Sequence, residues 1–202
     1  MFYITESNQP IFHYEQLRQL YPQILWPIHA EDITDDVLDA LNIERMVVDA
    51  PVLQPWENAS FSHVVTEEGV LKAKYAVTAT SLADLKNQKQ QELAAKRYAI
   101  ETGGIVAAGA AVKTDRQSQA MIAAALQYFQ FSPTAVIDWK GEAQWYTLNA
   151  QAAQGIAQAV GNHVQHCFAT EKTISEMISA ATSHAEVWGL NIETLWNNHF
   201  TE

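Results

Sequence analysis

The side chains best suited to chemistry stand together in the run HVQHC, which contains His163, His166 and Cys167. On a helix, spacings of three and four residues bring such side chains onto neighbouring turns. Zinc accepts nitrogen and sulfur ligands in tetrahedral geometry, so three such ligands and a water could form a catalytic site. However, the sequence has no H-E-x-x-H motif and no C-x-x-C pair. We therefore predict surface histidines, a buried cysteine and no bound metal or other cofactor.

Other patterns typical of catalysis are incomplete. Cys167 and His163 could form a nucleophile–base pair, but the neighbouring sequence supplies little positive charge to stabilise a thiolate. The glycines between residues 103 and 109 lack the Gly-Lys-Ser/Thr ending of a phosphate-binding loop. The acidic residues between 31 and 36 lack the alternating oxygen ligands of a calcium loop and fit the start of a helix. We predict no catalytic residue and no enzyme activity.

Composition and charge narrow the class of protein. Of the 202 residues, 48% are hydrophobic and 17% are charged, so the chain can bury a core and is not disordered as a whole. The formal net charge of −11 disfavours binding to nucleic acid or to an anionic membrane surface. The first residues lack the pattern of a signal peptide, and no apolar run is long enough to span a membrane. A single cysteine excludes an internal disulfide and fits a reducing cytoplasm.

The elements that must position these residues fall into two segments that differ in composition. Five of the six prolines precede residue 80, and proline cannot donate to a strand ladder, so we predict short strands and turns there. A helix is predicted over residues 33–41 with Thr34 as its N-cap, and a strand over residues 45–52. Residues 60–65 and 70–78 are predicted to pair as a hairpin closed at Glu68-Gly69. Residues 1–80 are therefore predicted to form a small α+β module.

The pattern becomes helical at Ser81, which is a good N-cap. Residues 81–102 are predicted to form a helix that ends at a double glycine, and its largely polar surface favours a connector between two domains. The alternative is that this helix is one member of an oligomeric helix bundle. The seam of that bundle would consist of the apolar residues of the helix: Leu82, Leu85 and Leu93.

Residues 103–202 are predicted to form a helical domain with two short hairpins. The hairpins are expected around Gly109 and across residues 134–148, with the second turn at residues 141–142. A T-x-x-Q capping box at residues 114–117 is predicted to start a helix, and Asn149 to start a long one that ends near residue 181. Helical spacing places two sets of side chains in the core. They are Met121, Ile122, Ala125, Leu126 and Phe129 in the first helix, and Ile156, Val160, Val164, Phe168, Ile174 and Ile178 in the second.

Six tryptophans are spread evenly along the chain. Tryptophan fills protein cores, and it is also enriched in protein interfaces and in surfaces that stack on sugars. Within the second predicted hairpin, strand alternation places Trp139 on the face of Ile137 and Trp145 on the face of Thr147. Four tryptophans are candidate contacts with a partner: Trp139, Trp145, Trp188 and Trp196.

The segments KRYAIETGGI, TDRQSQA and AQAVGNHVQHCF resemble a domain of unknown function that is common in tailed-phage and prophage genes for tail and tail-fibre components. The helical lead-in ADLKNQKQQELAAKR is similar to segments of many tail-fibre-associated proteins. The resemblance covers about residues 91–186 and rests on helix stops, caps and packing faces. It implies a tail-associated structural protein, such as a tail-tip, baseplate or fibre-attachment component, and it assigns no catalytic residue.

This resemblance leaves three functions open. The first is a component of the virion tail, made in the host bacterial cytoplasm, that contacts other tail or tail-fibre proteins and assembles as a homo-oligomer such as a trimer. The second is an assembly chaperone for the tail fibre that is absent from the mature virion. The third is a protein that binds or cleaves envelope polysaccharide. We favour the first, because two stiff modules joined by a helix form a better strut than a transient clamp.

Overall fold

A computed structural model describes residues 1–107, 109–141 and 144–200 of the chain. It divides into two compact units, Met1–Thr80 and Ser81–Glu202. Both units contain helices and strands, which confirms the predicted α+β class. Among the helices of the described residues, none combines the length and the apolar character needed to cross a membrane.

The first unit is built on a five-stranded sheet with the strand order β2-β1-β3-β5-β4. Its strands are β1 (Phe2–Ile4), β2 (Gln9–Ile11), β3 (Ile43–Val48), β4 (Glu57–Glu67) and β5 (Val70–Ala79). Its helices are α1 (Tyr14–Leu20) and α2 (Asp35–Ala40), with a 3-10 turn at Ala30–Asp32. Neighbouring strands are antiparallel except β3 and β5, which are parallel. The core consists of seven apolar side chains: Phe2, Ile4, Ile11, Leu17, Ile33, Leu38 and Ile43.

The elements predicted for this unit are present with shifted bounds. Strand β3 begins two residues before the predicted start and ends at Val48, ahead of the prolines that follow. Thr34 occupies the N-cap of α2, but its side chain makes no capping hydrogen bond. The β4–β5 hairpin is confirmed, and Glu68 and Gly69 close it with φ of +53° and +77°. Two positive φ angles in a two-residue loop match the right-handed twist of the strands.

The second unit is organised around one long helix. Its helices are α3 (Leu82–Glu101), α4 (Arg116–Phe131), α5 (Ala150–Ala180), α6 (His184–Gly189) and α7 (Ile192–His199). Two hairpins complete it, β6 (Ile105–Ala107) with β7 (Ala110–Val112), and β8 (Val136–Lys140) with β9 (Trp145–Asn149). Helix α5 packs against α3, α4 and α7. The largest buried cluster joins three of these helices: Leu93, Cys167, Ile174, Ile178, Ile192 and Trp196.

The predicted connector role of residues 81–102 is wrong, because α3 packs along α5, α6 and α7 within the second unit. Leu85 and Leu93 are buried in this unit, and Leu82 is half-buried. The predicted oligomer seam is therefore wrong as well, since the core of the unit already uses these side chains. A narrow apolar stripe fits either environment, and the sequence of α3 alone does not distinguish them.

The helix starts of the second unit are mostly those predicted. The Ser81 side chain accepts a hydrogen bond from the Asp84 amide, and the Asn149 side chain accepts one from the Ala152 amide. The predicted box at residues 114–117 is wrong, because Asp115 caps α4 by accepting from the amide of Ser118. That bond holds the pKa of the Asp115 carboxyl below its usual value.

Two side chains predicted to be in the core are instead exposed. Met121 of α4 is half exposed, although Ile122 and Phe129 of the same helix are buried. Phe168 of α5 is also exposed, because the buried face of the helix passes through its neighbour Cys167. The Arg97 guanidinium lies over the Phe168 ring at 4.8 Å from its centroid, which partly covers it.

Two glycines of the second unit give opposite predictions for the same substitution. Gly104 has a φ of +89°, and a Cβ there would lie 3.2 Å from the Val112 carbonyl oxygen. Gly161 lies inside α5 with open space around a Cβ. We expect Gly104→Ala to lower the free energy of unfolding by about 1–2 kcal/mol. We expect Gly161→Ala to raise it by about 0.5–1 kcal/mol. Urea unfolding followed by far-UV circular dichroism measures both, and two changes of equal sign would contradict this assignment.

Candidate protein-docking site

A cleft of about 720 Å³ lies in the second unit, within the size range of ligand and peptide pockets, about 300–1,000 Å³. Four parts of the chain line it: the β6–β7 hairpin, the first half of α4, the β8–β9 hairpin and the first two turns of α5. Most of the lining side chains are apolar or small, such as Ala110, Val112, Met121 and Ile156. Among the lining residues that the structure describes, the charged ones are Lys113 and Lys140.

The β8–β9 hairpin forms the aromatic wall of the cleft. Trp139 pairs with Tyr146 across the two strands, and both side chains line the cleft. Trp145 pairs with Lys140 and is two-thirds exposed on the opposite face. The predicted alternation of Trp139 and Trp145 is therefore confirmed. The predicted turn at residues 141–142 lies partly outside the described residues, which resume at Gln144.

The four candidate tryptophans have different environments. Trp139 faces the cleft, Trp145 is exposed beside it, and Trp188 of α6 is half exposed. Trp196 is buried in the core with Leu93 and Cys167, so its assignment as a partner contact is wrong. The structure therefore brings one of the four into the cleft and leaves two others at the surface.

A buried carboxylate holds the elements around the cleft in register. Glu101, the last residue of α3, is fully buried and pairs with Arg97 one turn earlier. Its other oxygen lies 3.0 Å from the guanidinium of Arg116, the first residue of α4. Arg97 also reaches Glu171 of α5 at 3.2 Å. One acidic side chain thus fixes the end of α3 to the start of α4, and Arg97 extends the network to α5.

The same network sets both ends of the β6–β7 hairpin. Thr114 is fully buried, and its hydroxyl oxygen accepts a hydrogen bond of 2.9 Å from the Gly104 amide. The Gln119 side chain donates to the Thr114 carbonyl at 2.6 Å and to Glu101 at 3.4 Å. The residues that flank the hairpin are therefore held next to each other. No pattern in the sequence predicted this network. The spacing of Arg97 and Glu101 hints at a pair, but nothing local indicates Arg116.

The side chains of the histidine–cysteine run contact α3, the C-terminal residues and one another. His163 Nε2 lies 3.1 Å from the Ile100 carbonyl oxygen, to which it donates, and 3.8 Å from the Cys167 sulfur. Burial raises the pKa of the Cys167 thiol to about 11, and the Glu101 carboxylate acts in the same direction. The His166 ring lies tilted against the Phe200 ring, and their centroids are 4.5 Å apart. Within the described part of the chain, no group of three or more His, Cys, Asp or Glu side chains is placed to hold a metal.

Glu101 should carry a large share of the stability of the second unit. Glu101→Gln removes the fully buried counter-charge of Arg97, whose side chain is 15% exposed, and breaking such a buried pair costs about 3–5 kcal/mol. The Arg116 side chain is 57% exposed, so water compensates most of its loss. Urea unfolding measures the loss. Glu176→Gln is the matched control, because Glu176 is an exposed residue of α5 whose partner Lys172 lies 3.8 Å away. Equal effects of the two substitutions would contradict the central role of Glu101.

Cys167 should be inert in the folded chain. The thiolate is the reactive form of cysteine, and a buried thiol with a pKa of about 11 is almost wholly protonated at pH 8. We expect a chromogenic disulfide reagent to label the native protein at least about a hundredfold more slowly than the protein in urea. An Ala123→Cys variant gives the reference rate for an accessible thiol, since Ala123 is exposed on α4. Labelling of native Cys167 at that rate would contradict its burial.

Comparison with known proteins identifies the second unit. Residues 84–194 match the family model described as "Domain of unknown function (DUF4376)". No curated protein sequence and no solved structure matches the chain. The matched residues run from the first turn of α3 into α7 and include every element that lines the cleft. Because the match covers more than half of the sequence, the chain belongs to the DUF4376 family of domains of unknown function.

Proposed function

We propose that the protein is a structural component of a bacteriophage tail, at the tail tip, the baseplate or the fibre attachment. In this proposal it acts in the virion through contacts of its second unit with other tail or tail-fibre proteins. The apolar cleft lined by Trp139 and Tyr146 is the observation that supports it best. The phage setting itself rests on the resemblance of residues 91–186 to tail-associated domains.

The chemistry of the cleft suits a protein segment as its occupant. Its lining is mainly apolar, with an aromatic pair on one wall and the small residues of the β6–β7 hairpin on another. Aromatic side chains next to small ones form the kind of pocket that holds an apolar anchor residue of a partner.

The surface around the cleft also supports a docking role. Large apolar side chains are exposed on both hairpins and on α4: Val106, Met121, Tyr128, Phe131 and Val136. Exposed apolar side chains mark a protein interface where they form one patch. A tail-fibre chaperone would use the same surface during assembly and then leave it.

The first test is the composition of the particle. We expect mass spectrometry of purified particles, from the phage or prophage that encodes the chain, to find it at a fixed ratio to other tail proteins. A chain bound to the fibre protein in lysates and absent from particles would identify it as the chaperone. A chain absent from both would refute the proposal.

The second test is a matched pair of tryptophan substitutions in the β8–β9 hairpin. We expect Trp139→Ala to reduce incorporation into particles at least about tenfold, because it removes the aromatic wall of the cleft. Trp145→Ala is the control, since Trp145 stands on the other face of the same hairpin. Thermal unfolding of both purified variants checks that the unit is intact. Equal incorporation of the two variants would exclude the cleft as the docking site.

A further inference from the structure

The β6–β7 hairpin borders the cleft with the edge of a strand. Side chains along a strand alternate between two faces, so the face of a strand contributes only every second residue to a wall. The cleft is instead lined by Ala110, Ala111 and Val112, which are consecutive residues of β7. From β6, all of which lies in the described part of the chain, Ala107 alone lines the cleft. The outer edge of β7 therefore faces the cleft.

This edge carries main-chain groups that no neighbouring strand uses. Strands β6 and β7 form a two-stranded sheet, and within the described residues no third strand joins it. Ala107 pairs with Ala110, and only two residues separate them, so this pair closes the hairpin by exchanging ladder hydrogen bonds. Such pairs alternate along an antiparallel ladder with pairs that exchange none. The N–H and C=O of Ala111 therefore point away from β6, toward the outer edge.

Another wall of the cleft is the face of a hairpin. Strand β9 contributes alternate residues, Tyr146 and Leu148, and β8 contributes Trp139, which pairs with Tyr146. These side chains share one face of the β8–β9 hairpin. The cleft thus offers main-chain hydrogen-bonding groups on one wall and an apolar, aromatic surface on another. An extended polypeptide uses both, because its main chain extends a sheet edge while its alternate side chains enter pockets.

We propose that the cleft receives an extended segment of a partner protein, which adds to β7 as a third strand. The main chain of the segment pairs with the N–H and C=O of Ala111, and its alternate side chains lie against Trp139 and Tyr146. Strand β7 contains no charged residue and no proline, which are features that protect an open edge from such pairing. A helical segment satisfies its own main-chain groups and would leave those of Ala111 unused. This inference rests on the cleft being the docking site, as proposed above, and it adds the form in which the partner binds.

Synthetic peptides test this mode of binding without the natural partner. The probe is a library of peptides of about six residues, the usual length of a strand, with apolar residues at alternate positions. We expect the full chain to select members of the library. Because successive N–H groups of a strand point to opposite edges, N-methylation of a selected peptide should weaken its binding at least about tenfold at every second position. Fluorescence anisotropy measures the affinity. A library without a binder, or a binder without this alternation, would overturn the proposal.

Two proline substitutions locate the contact on the chain. Ala111→Pro removes the outward N–H of β7, and proline is tolerated on an edge strand where its nitrogen is outside the ladder. Thr66→Pro is the matched control, because Thr66 stands in β4, the edge of the sheet in the first unit, next to the pair Glu67–Val70 that closes that hairpin. We expect Ala111→Pro to weaken binding of the selected peptide at least about tenfold and Thr66→Pro to leave it unchanged. Equal effects of the two variants would overturn the proposal.

Photocrosslinking locates the peptide on the parent chain and does not require the proline variants to fold. We expect a photoreactive group in the middle of the selected peptide to attach to residues that line the cleft, and attachment elsewhere would refute the contact with β7. Peptide binding that is lost in Trp139→Ala but shows no alternation on N-methylation would keep the cleft as a docking site and exclude strand addition. The alternating pattern in a protein that is absent from phage particles would support strand addition and refute the tail role.

Discussion

The second unit depends on the pairing of Glu101 with Arg97 and Arg116. A carboxylate without solvent exposure is costly to desolvate, and two guanidinium groups can repay that cost only when they are held in place. Arg97 is held by Glu171 and by the face of the Phe168 ring. The pairing therefore requires α3, α4 and α5 to meet in one arrangement. Elements that apolar packing alone could place in several registers are fixed in one.

This constraint explains why a hairpin with strands of only three residues can form one wall of a cleft. Strands β6 and β7 are too short to be stable as an isolated hairpin. Their ends are held by the hydrogen bond from Gly104 to Thr114, and Gln119 links Thr114 to the Glu101 network. The small residues of the hairpin that line the cleft, alanines and a glycine, are thus held in place from the ends of the hairpin. A surface held in this way would bind the proposed partner without a large cost of ordering.

Local patterns in the sequence predict the elements well and their partners poorly. The Ser81 and Asn149 caps, the Glu68-Gly69 turn and the alternation of Trp139 and Trp145 are set by neighbouring residues, and all of them are found. Thr114 shows the limit of such local patterns. It matches a capping box, but its hydroxyl oxygen instead accepts a hydrogen bond from the amide of Gly104, ten residues away. The cleft and the Glu101 network join residues that are distant in sequence, so no rule based on local spacing predicts them. The apolar pattern also cannot say which side chains a core will leave uncovered.

Helices α3 and α4 illustrate that last limit and what it implies. Helix α3 has one narrow apolar stripe, and its residues Leu85 and Leu93 are buried in the core of the unit. Helix α4 has apolar residues around more than half of its circumference, so a single contact with α5 covers only Ile122, Phe129 and their neighbours. The rest of α4 keeps large apolar side chains at the surface, Met121, Tyr128 and Phe131 among them. The spacing of apolar residues along α4 does not distinguish the side chains that the unit covers from those that it leaves exposed.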